Sequence, residues 1–174
     1  MKNDRGEIKV LVIDDEDGIR EGSERILSRM GCEVYGASRG EEGLEILSSR
    51  KPHIVLLDLK MPGMDGMEVM RRIHEIDPNI LVIIITGFAT VETAIEAMKQ
   101  GAYDFIPKPF EPDPLRIVVN RAKERILLRQ ETEKLERARR RTLADLGMEI
   151  AFGPGADFSG MGPNGSGYCI DFVR

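Results

Sequence analysis

The 174-residue chain contains no tryptophan, only two cysteines, and no apolar run near the roughly 20 residues that a membrane span requires. Cys32 and Cys169 are too few and too far apart to indicate a metal site or a disulfide framework, so both are expected to be free thiols. The first seven residues lead into an apolar strand pattern without the apolar region of a signal peptide. These absences argue against a membrane protein and against a disulfide-stabilised protein, and they predict a cytoplasmic protein.

Charged residues, by contrast, are abundant at 32% of the chain, and they are unevenly distributed. Between Arg121 and Arg141, nine basic residues stand against four glutamates, which gives a local charge of +5. Because the net charge of the whole chain is −5, the remainder carries −10. The sequence therefore predicts an acidic compact body followed by a basic helical arm.

Strand patterns alternate with helix patterns from residue 8 to about residue 120, which is typical of βαβ units and a parallel sheet. Five such units are expected. The boundary signals are glycines after helices one and four (Gly31, Gly101), a capping box at helix two (Ser38 to Glu41), Asp65 before helix three, and Asp113 with Pro114 at the start of helix five.

Four apolar runs end in polar residues that suit a magnesium-dependent phosphoryl site. Runs beginning at Ile8, His53, Ile80 and Asp104 lead, in that order, into Asp14-Asp15, Asp58, Thr86 and Lys108. Apolar runs without polar alternation predict parallel strands covered on both faces, and open α/β sheets bind ligands at the carboxyl ends of their strands. The polar residues are therefore expected to meet at one edge of the sheet.

The residue types at these strand ends indicate a particular chemistry. Asp14, Asp15 and Asp58 would bring three negative charges together, which is costly unless one is protonated or a hard divalent cation lies among them. Mg²⁺ prefers carboxylate oxygens and clamps phosphoryl oxygens, so a carboxylate beside it can attack an incoming phosphoryl group. Lys108 would neutralise charge on that group, and the Thr86 hydroxyl would donate a hydrogen bond to a phosphoryl oxygen.

The C-terminal third of the chain follows a different pattern. Leu115 to Leu146 contains no glycine or proline, so its 32 residues would form a helix about 48 Å long. An imperfect apolar stripe in its distal half is compatible with a weak coiled coil and equally with a solvated charged helix. Seven glycines follow in the last 28 residues, as expected of a flexible tail. The predicted divisions are 1–125, 126–146 and 147–174.

Beyond these patterns, the stretch from Ile8 to about Arg125 resembles a receiver domain of a two-component response regulator. The resemblance rests on four segments, which are Val12-Ile13-Asp14-Asp15-Glu16, Leu57-Asp58-Leu59-Lys60-Met61-Pro62-Gly63-Met64-Asp65-Gly66, Ile85-Thr86-Gly87 and Gly101-Ala102-Tyr103-Asp104-Phe105-Ile106-Pro107-Lys108-Pro109-Phe110. It implies a flavodoxin-like, doubly wound five-stranded parallel sheet of order 2-1-3-4-5, followed by an extended helix. It also implies phosphorylation-dependent signalling, with no enzymatic activity beyond the protein's own phosphoryl transfer and dephosphorylation.

The resemblance further implies how the phosphoryl site is built. Asp58 would be the phosphoacceptor and would take its phosphoryl group from the phosphohistidine of a histidine kinase. Asp15 would be a direct Mg²⁺ ligand, Asp14 would act largely through water, and the backbone carbonyl of Lys60 would complete the coordination.

It also implies a switch. Thr86 and Phe105 would be the switch pair, in which the hydroxyl moves toward the phosphoryl group and the ring turns into the vacated space. The Lys108-Pro109 peptide bond is expected to be cis, as is common in this family.

Two other functions fit the sequence less well. A phosphohydrolase resembling the haloacid-dehalogenase group would need a second aspartate two residues after its nucleophile, and Lys60 occupies that position. A receiver that is never phosphorylated would serve only as a scaffold, and the complete set of acceptor-site residues argues against this.

The expected partners are a histidine kinase and a second copy of the chain in a weak homodimer, with no membrane contact. DNA binding has little support beyond the basic run Arg137 to Arg141. The output of the signal is left open.

Overall fold

The computed structural model describes residues 7–87 and 89–145, where five strands alternate with five helices. The strands are β1 (Ile8–Ile13), β2 (Cys32–Ala37), β3 (Ile54–Leu57), β4 (Leu81–Thr86) and β5 (Asp104–Pro107). The helices are α1 (Asp17–Arg29), α2 (Gly40–Arg50), α3 (Gly66–Ile76), α4 (Val91–Lys99) and α5 (Pro112–Asp145). All neighbouring strands are parallel, in the order β2-β1-β3-β4-β5. This arrangement confirms the predicted doubly wound fold with its long C-terminal helix.

The sheet separates two hydrophobic cores, one on each face. Val10 and Val12 of β1 belong to the first core, whereas Leu11 and Ile13 belong to the second, because successive side chains of a strand point to opposite faces. The helices complete the cores through Leu27 of α1 and Leu115 of α5 on the first face, and through Leu47 of α2, Val69 of α3 and Ala97 of α4 on the second. The covering of both faces explains why the central strands lack polar alternation.

Three of the predicted helix boundaries are confirmed. Gly31 and Gly101 follow the ends of α1 and α4 and adopt φ angles of 74° and 99°, a region that a residue with a Cβ rarely enters. Asp65 caps α3, where its carboxylate accepts a hydrogen bond from the backbone N–H of Met67 at 3.0 Å.

The capping box predicted for α2 is wrong. The helix begins at Gly40, and Ser38 donates from its backbone N–H and its hydroxyl to Glu42 Oε2, at 2.7 and 3.1 Å. A Cβ on Gly40 would lie 2.5 Å from Cγ2 of Val69, so the first residue of α2 packs closely against α3.

The start predicted for α5 is also wrong, since the helix begins at Pro112 and not at Pro114. Pro112 suits the first helical position because the N–H that it lacks would have no partner within the helix. Asp113 lies in the first turn instead, where its Oδ1 atom is 3.0 Å from Nη1 of Arg116.

By its internal contacts the chain divides into two units, Met1–Ile126 and Leu127–Arg174. The first contains the sheet and both cores, including the buried free thiol of Cys32. In the second, residues 127–145 are helical, and the side chains of Leu128 and Leu135 are each 66% exposed. The predicted glycine-rich tail and Cys169 lie outside the described residues, and the predicted domain boundaries stay predictions. Within the described ranges, no helix has the length and apolarity needed to cross a membrane.

Candidate functional site

Four predicted site residues lie where neighbouring strands end. Asp14 follows β1, Asp58 follows β3, Thr86 is the last residue of β4, and Lys108 follows β5. These strands are adjacent in the sheet, so their carboxyl ends form one continuous edge. Contacts to Lys108 bring the two aspartates together at this edge, as the sequence predicts.

The ammonium group of Lys108 lies at the centre of the site. Its Nζ atom is 2.7 Å from Asp14 Oδ2, 2.9 Å from Glu16 Oε1 and 3.0 Å from Asp58 Oδ2. The side chains of Lys108, Asp14 and Asp58 are only 8%, 2% and 6% exposed, whereas that of Glu16 is 61% exposed. A buried cation thus compensates two buried carboxylates and one carboxylate at the surface.

Burial and charge act in opposite directions on these groups. Burial raises the pKa of Asp14 above its ordinary value, although hydrogen bonds from Lys108 and from the backbone of Glu16 oppose it. Burial would lower the pKa of Lys108, but its hydrogen bonds to three carboxylates outweigh burial and raise that pKa. Lys108 is therefore charged at neutral pH, and an additional cation at this edge would stabilise the charged form of Asp14.

Backbone hydrogen bonds fix the positions of Asp58 and Lys108. The N–H of Asp58 donates to the carbonyl of Ile13 at 2.9 Å, which continues the β1–β3 pairing beyond the end of β3. The N–H of Lys60 donates to Asp58 Oδ1 at 3.1 Å, so each carboxylate oxygen of Asp58 has its own donor. The N–H of Lys108 donates to the carbonyl of Thr86 at 2.9 Å.

The loop after β5 contains the predicted cis peptide bond, between Lys108 and Pro109. Gly66, the first residue of α3, packs against the loop that carries Asp58. A Cβ on Gly66 would lie 2.4 Å from the backbone oxygen of Asp58, closer than any side chain allows. No role was predicted for Gly66, although it lies within the segment that resembles the family.

Carboxylates at this edge are close enough to share a cation. Within the described residues, ligand atoms of Asp14, Glu16 and Asp58 lie within 4.8 Å of one another. An all-oxygen set of carboxylates fits Mg²⁺, which prefers hard ligands and keeps several waters. Asp15, the ligand predicted by resemblance, is exposed and is not a member of this group as the described residues are arranged.

Glu16 was not predicted as a site residue. The available signal was a third acidic residue directly after Asp14-Asp15, but no local pattern indicates that it reaches Lys108, 92 positions away.

The proposed switch residues occupy the two strands at one side of the sheet. Thr86 is fully buried and pairs in register with Pro107, and Ile84 pairs with Phe105. Phe105 is half-buried and packs against the core on the face that α2, α3 and α4 cover. This placement is compatible with a switch pair, whose movement stays a prediction.

Comparison with known proteins identifies one family. A family model described as response regulator receiver domain matches residues 10–120. Sporulation initiation phosphotransferase F of Bacillus subtilis (strain 168) is 37% identical over 113 residues, which cover 65% of this chain and 91% of that protein. Regulatory protein AtoC of Escherichia coli (strain K12) is 34% identical over 130 residues, which cover 75% of this chain. The same residues cover only 28% of AtoC, so the chain matches a minor part of that protein's length.

Similar solved structures belong to the same family. A response regulator receiver domain protein from Clostridium thermocellum has a TM-score of 0.66 and 40% sequence identity, covering 70% of this chain and 98% of that chain. NtrX from Brucella abortus, in complex with ADP, has a TM-score of 0.69 and 37% identity, covering 74% of this chain and 30% of that chain. The residues that the family model matches include Asp14, Asp58, Thr86 and Lys108.

Proposed function

The chain belongs to the response regulator receiver domain family, and we propose that it accepts a phosphoryl group on Asp58 from the phosphohistidine of a histidine kinase. The observation that carries this proposal is the environment of the Asp58 carboxylate. It is buried, it is held by Lys108 Nζ at 3.0 Å and by the Lys60 N–H at 3.1 Å, and a second buried carboxylate shares the same lysine.

In the proposed reaction, a carboxylate oxygen of Asp58 attacks phosphorus. The new O–P bond forms as the P–N bond to the kinase histidine breaks, and the imidazole keeps the electron pair of that bond. The product is an acyl phosphate, and the Lys108 ammonium compensates the charge on its oxygens. The Thr86 hydroxyl, at the end of the adjacent strand β4, would then donate a hydrogen bond to a phosphoryl oxygen and so start the switch with Phe105.

Mg²⁺ is the proposed cofactor, and it would neutralise phosphoryl charge during transfer. Asp14 and Asp58 would hold it, because both carboxylates are buried and lie within reach of one cation. The family resemblance adds Asp15 and the backbone carbonyl of Lys60, whereas the geometry adds Glu16. Calorimetric Mg²⁺ titration of Asp15→Asn and Glu16→Gln decides between the two acidic residues.

The proposed role is a signalling switch and not an enzyme with a separate substrate, so catalysis extends only to phosphorylation and dephosphorylation of the chain itself. We place it in the cytoplasm, as one component of a two-component system. A weak homodimer is the proposed assembly. Several relatives, such as NtrC of Escherichia coli (strain K12), are named DNA-binding transcriptional regulators, but this chain covers 24% of that protein. We propose no direct DNA binding through the basic run 137–141.

Phosphorylation is tested with acetyl phosphate and Mg²⁺. Intact-mass measurement should show one added phosphoryl group, which is stable to acid and removed by hydroxylamine, as expected of an acyl phosphate. Asp58→Asn should remain unlabelled. Asp65→Asn, which alters an exposed aspartate seven positions away, is the matched control and should label normally. Equal labelling of wild type and Asp58→Asn would refute the assignment of Asp58.

A further inference from the structure

Glu16 contacts Lys108 from the solvent side of the two buried aspartates. Its Oε1 atom accepts a hydrogen bond from Lys108 Nζ at 2.9 Å, while its side chain remains 61% exposed. An ammonium group has three N–H donors, and here three carboxylates lie within hydrogen-bond distance of it. The ammonium therefore has no donor left over for a further acceptor.

The backbone of Glu16 is anchored where β1 passes into α1. Its N–H donates to Asp14 Oδ1 at 3.0 Å, and its carbonyl accepts from the N–H groups of Ile19 and Arg20, each at 3.1 Å. Glu16 is the N-cap residue of α1, yet its side chain makes no capping hydrogen bond. Its carboxylate thus reaches Lys108 from a fixed backbone position.

We propose that Glu16 is a positioning residue that holds one N–H of Lys108 in the resting site and yields it to a phosphoryl oxygen once Asp58 is modified. This inference rests on the proposed function of Asp58. A phosphoryl group brings new acceptor oxygens to an ammonium group whose donors are all in use. The donor that contacts Asp58 can pass to one phosphoryl oxygen, and a second phosphoryl oxygen can bind Lys108 only when Asp14 or Glu16 gives up its contact. Release of Asp14 would leave a buried carboxylate without its cation, whereas Glu16 can return to water at little cost.

The consequence is a resting site that restrains its own phosphorylation. In Glu16→Gln, competition for Lys108 is weaker, so labelling of Asp58 by acetyl phosphate at Mg²⁺ concentrations that saturate both proteins should accelerate about two- to five-fold, the range of an exposed ion pair. Glu16→Asp keeps the charge but shortens the side chain by one methylene, and faster labelling there would assign the effect to the contact and not to the local field. Glu21→Gln removes a charge from an exposed position further along α1 and should leave the rate unchanged.

Proton exchange of the Lys108 ammonium group tests the contact independently of phosphorylation. It is read from ¹⁵N–¹H spectra of lysine side chains, with the signal assigned by its loss in Lys108→Arg. Without a phosphodonor, exchange should be faster in Glu16→Gln than in the wild type and in Glu21→Gln. With Mg²⁺ and beryllofluoride, wild type and Glu16→Gln should exchange equally, because Glu16 has already been released.

The two proposals fail in different ways. Equal exchange in resting wild type and Glu16→Gln would overturn the role of Glu16, even when Asp58 labels normally. If Asp58 is labelled at the same rate in Glu16→Gln as in the wild type, the proposal that Glu16 slows phosphorylation is wrong. Absence of label from Asp58 in the wild type would overturn the proposed function, and with it the release step.

Discussion

Lys108 and Asp58 are 50 positions apart in the sequence, and their Nζ and Oδ2 atoms lie 3.0 Å apart at the edge of the sheet. The same ammonium group contacts Asp14 at 2.7 Å. Two carboxylates that are almost fully buried are therefore compensated by one lysine. Lys108 thus contributes to the stability of the resting fold as well as to the proposed phosphoryl chemistry.

Lys108→Met should lower the free energy of unfolding by about 3 kcal/mol in the absence of divalent cations, because it leaves two buried carboxylates uncompensated. Mg²⁺ should restore part of that loss by taking over the compensation. Urea unfolding with EDTA and with Mg²⁺ measures both effects. Lys99→Met, which removes an exposed lysine from the end of α4, is the control. Similar losses in the two variants would contradict the buried ion pair.

His53 should make the stability pH-dependent. Its Nδ1 atom accepts a hydrogen bond from the backbone N–H of Lys9 at 3.1 Å, and protonation of Nδ1 would abolish that bond. Burial, assisted by the charge of Lys9 and opposed by that of Asp77, lowers the pKa of His53 below 6.5. The stabilisation is therefore complete above pH 6.5 and is lost as the pH falls through the lower pKa of the folded state.

This dependence is measured by urea unfolding between pH 5 and pH 8, about the range in which histidine titrates. His53→Asn keeps an acceptor for the Lys9 N–H but cannot titrate, so its profile should be flatter than that of the wild type. If the free energy of unfolding changes with pH equally in the wild type and in His53→Asn, the pH dependence comes from other groups.

The site residues that the sequence predicted best are those whose positions follow from hydrophobic runs. Asp14, Asp58 and Lys108 follow strands whose apolar composition shows that both faces are buried, and parallel strands bring their ends to one edge. Glu16 was missed because its partner is distant in the sequence, and periodicity does not specify which acidic side chain of a loop points inward. The α2 capping box failed because the pattern from Ser38 to Glu41 does not exclude the competing hydrogen bonds that Ser38 donates to Glu42.

Ser23 carries a buried hydroxyl in α1 that has no hydrogen-bond partner among the described residues. Ser23→Ala should therefore stabilise the protein by about 1 kcal/mol, because it removes an unsatisfied polar group and favours the helix. Ser28→Ala, at an exposed position of the same helix, reports the propensity effect alone. Thermal or urea unfolding of both variants measures the difference, and equal gains would mean that the buried hydroxyl carries no penalty.

Thr86→Ala should accept a phosphoryl group on Asp58 but fail to transmit the change. The hydroxyl is proposed to act after transfer, when its movement frees the space into which Phe105 turns. NMR spectra with and without beryllofluoride should show smaller shift changes in α4 and β5 for Thr86→Ala than for the wild type. Thr86→Ser keeps the hydroxyl and should restore them, whereas wild-type shift changes in Thr86→Ala would refute the coupling.

Self-association should depend on the helical segment 127–145 and should tighten on phosphorylation. Leu128 and Leu135 lie seven residues apart, so they occupy the same face of the helix, and each is 66% exposed. The double variant Leu128→Ser/Leu135→Ser should therefore weaken any dimer detected by sedimentation. Helix α4 offers a second apolar surface, with Val91 72% exposed and Ile95 49% exposed. Beryllofluoride should increase the dimer fraction of the wild type, and Val91→Ser/Ile95→Ser should reduce mainly this increase.

The charges on the same segment limit the affinity of this dimer. In a parallel, in-register pair, Lys134 would lie opposite Arg139 of the second copy, because residues five apart flank the seam of a heptad repeat. That arrangement is repulsive, whereas an antiparallel or staggered pair could set the arginines near 140 against Glu131, Glu133 and Glu136. We therefore expect a weak dimer that strengthens with salt if it is parallel and weakens with salt if it is antiparallel. A monomer–dimer equilibrium identical in the wild type and in Leu128→Ser/Leu135→Ser would show that this helix does not mediate self-association.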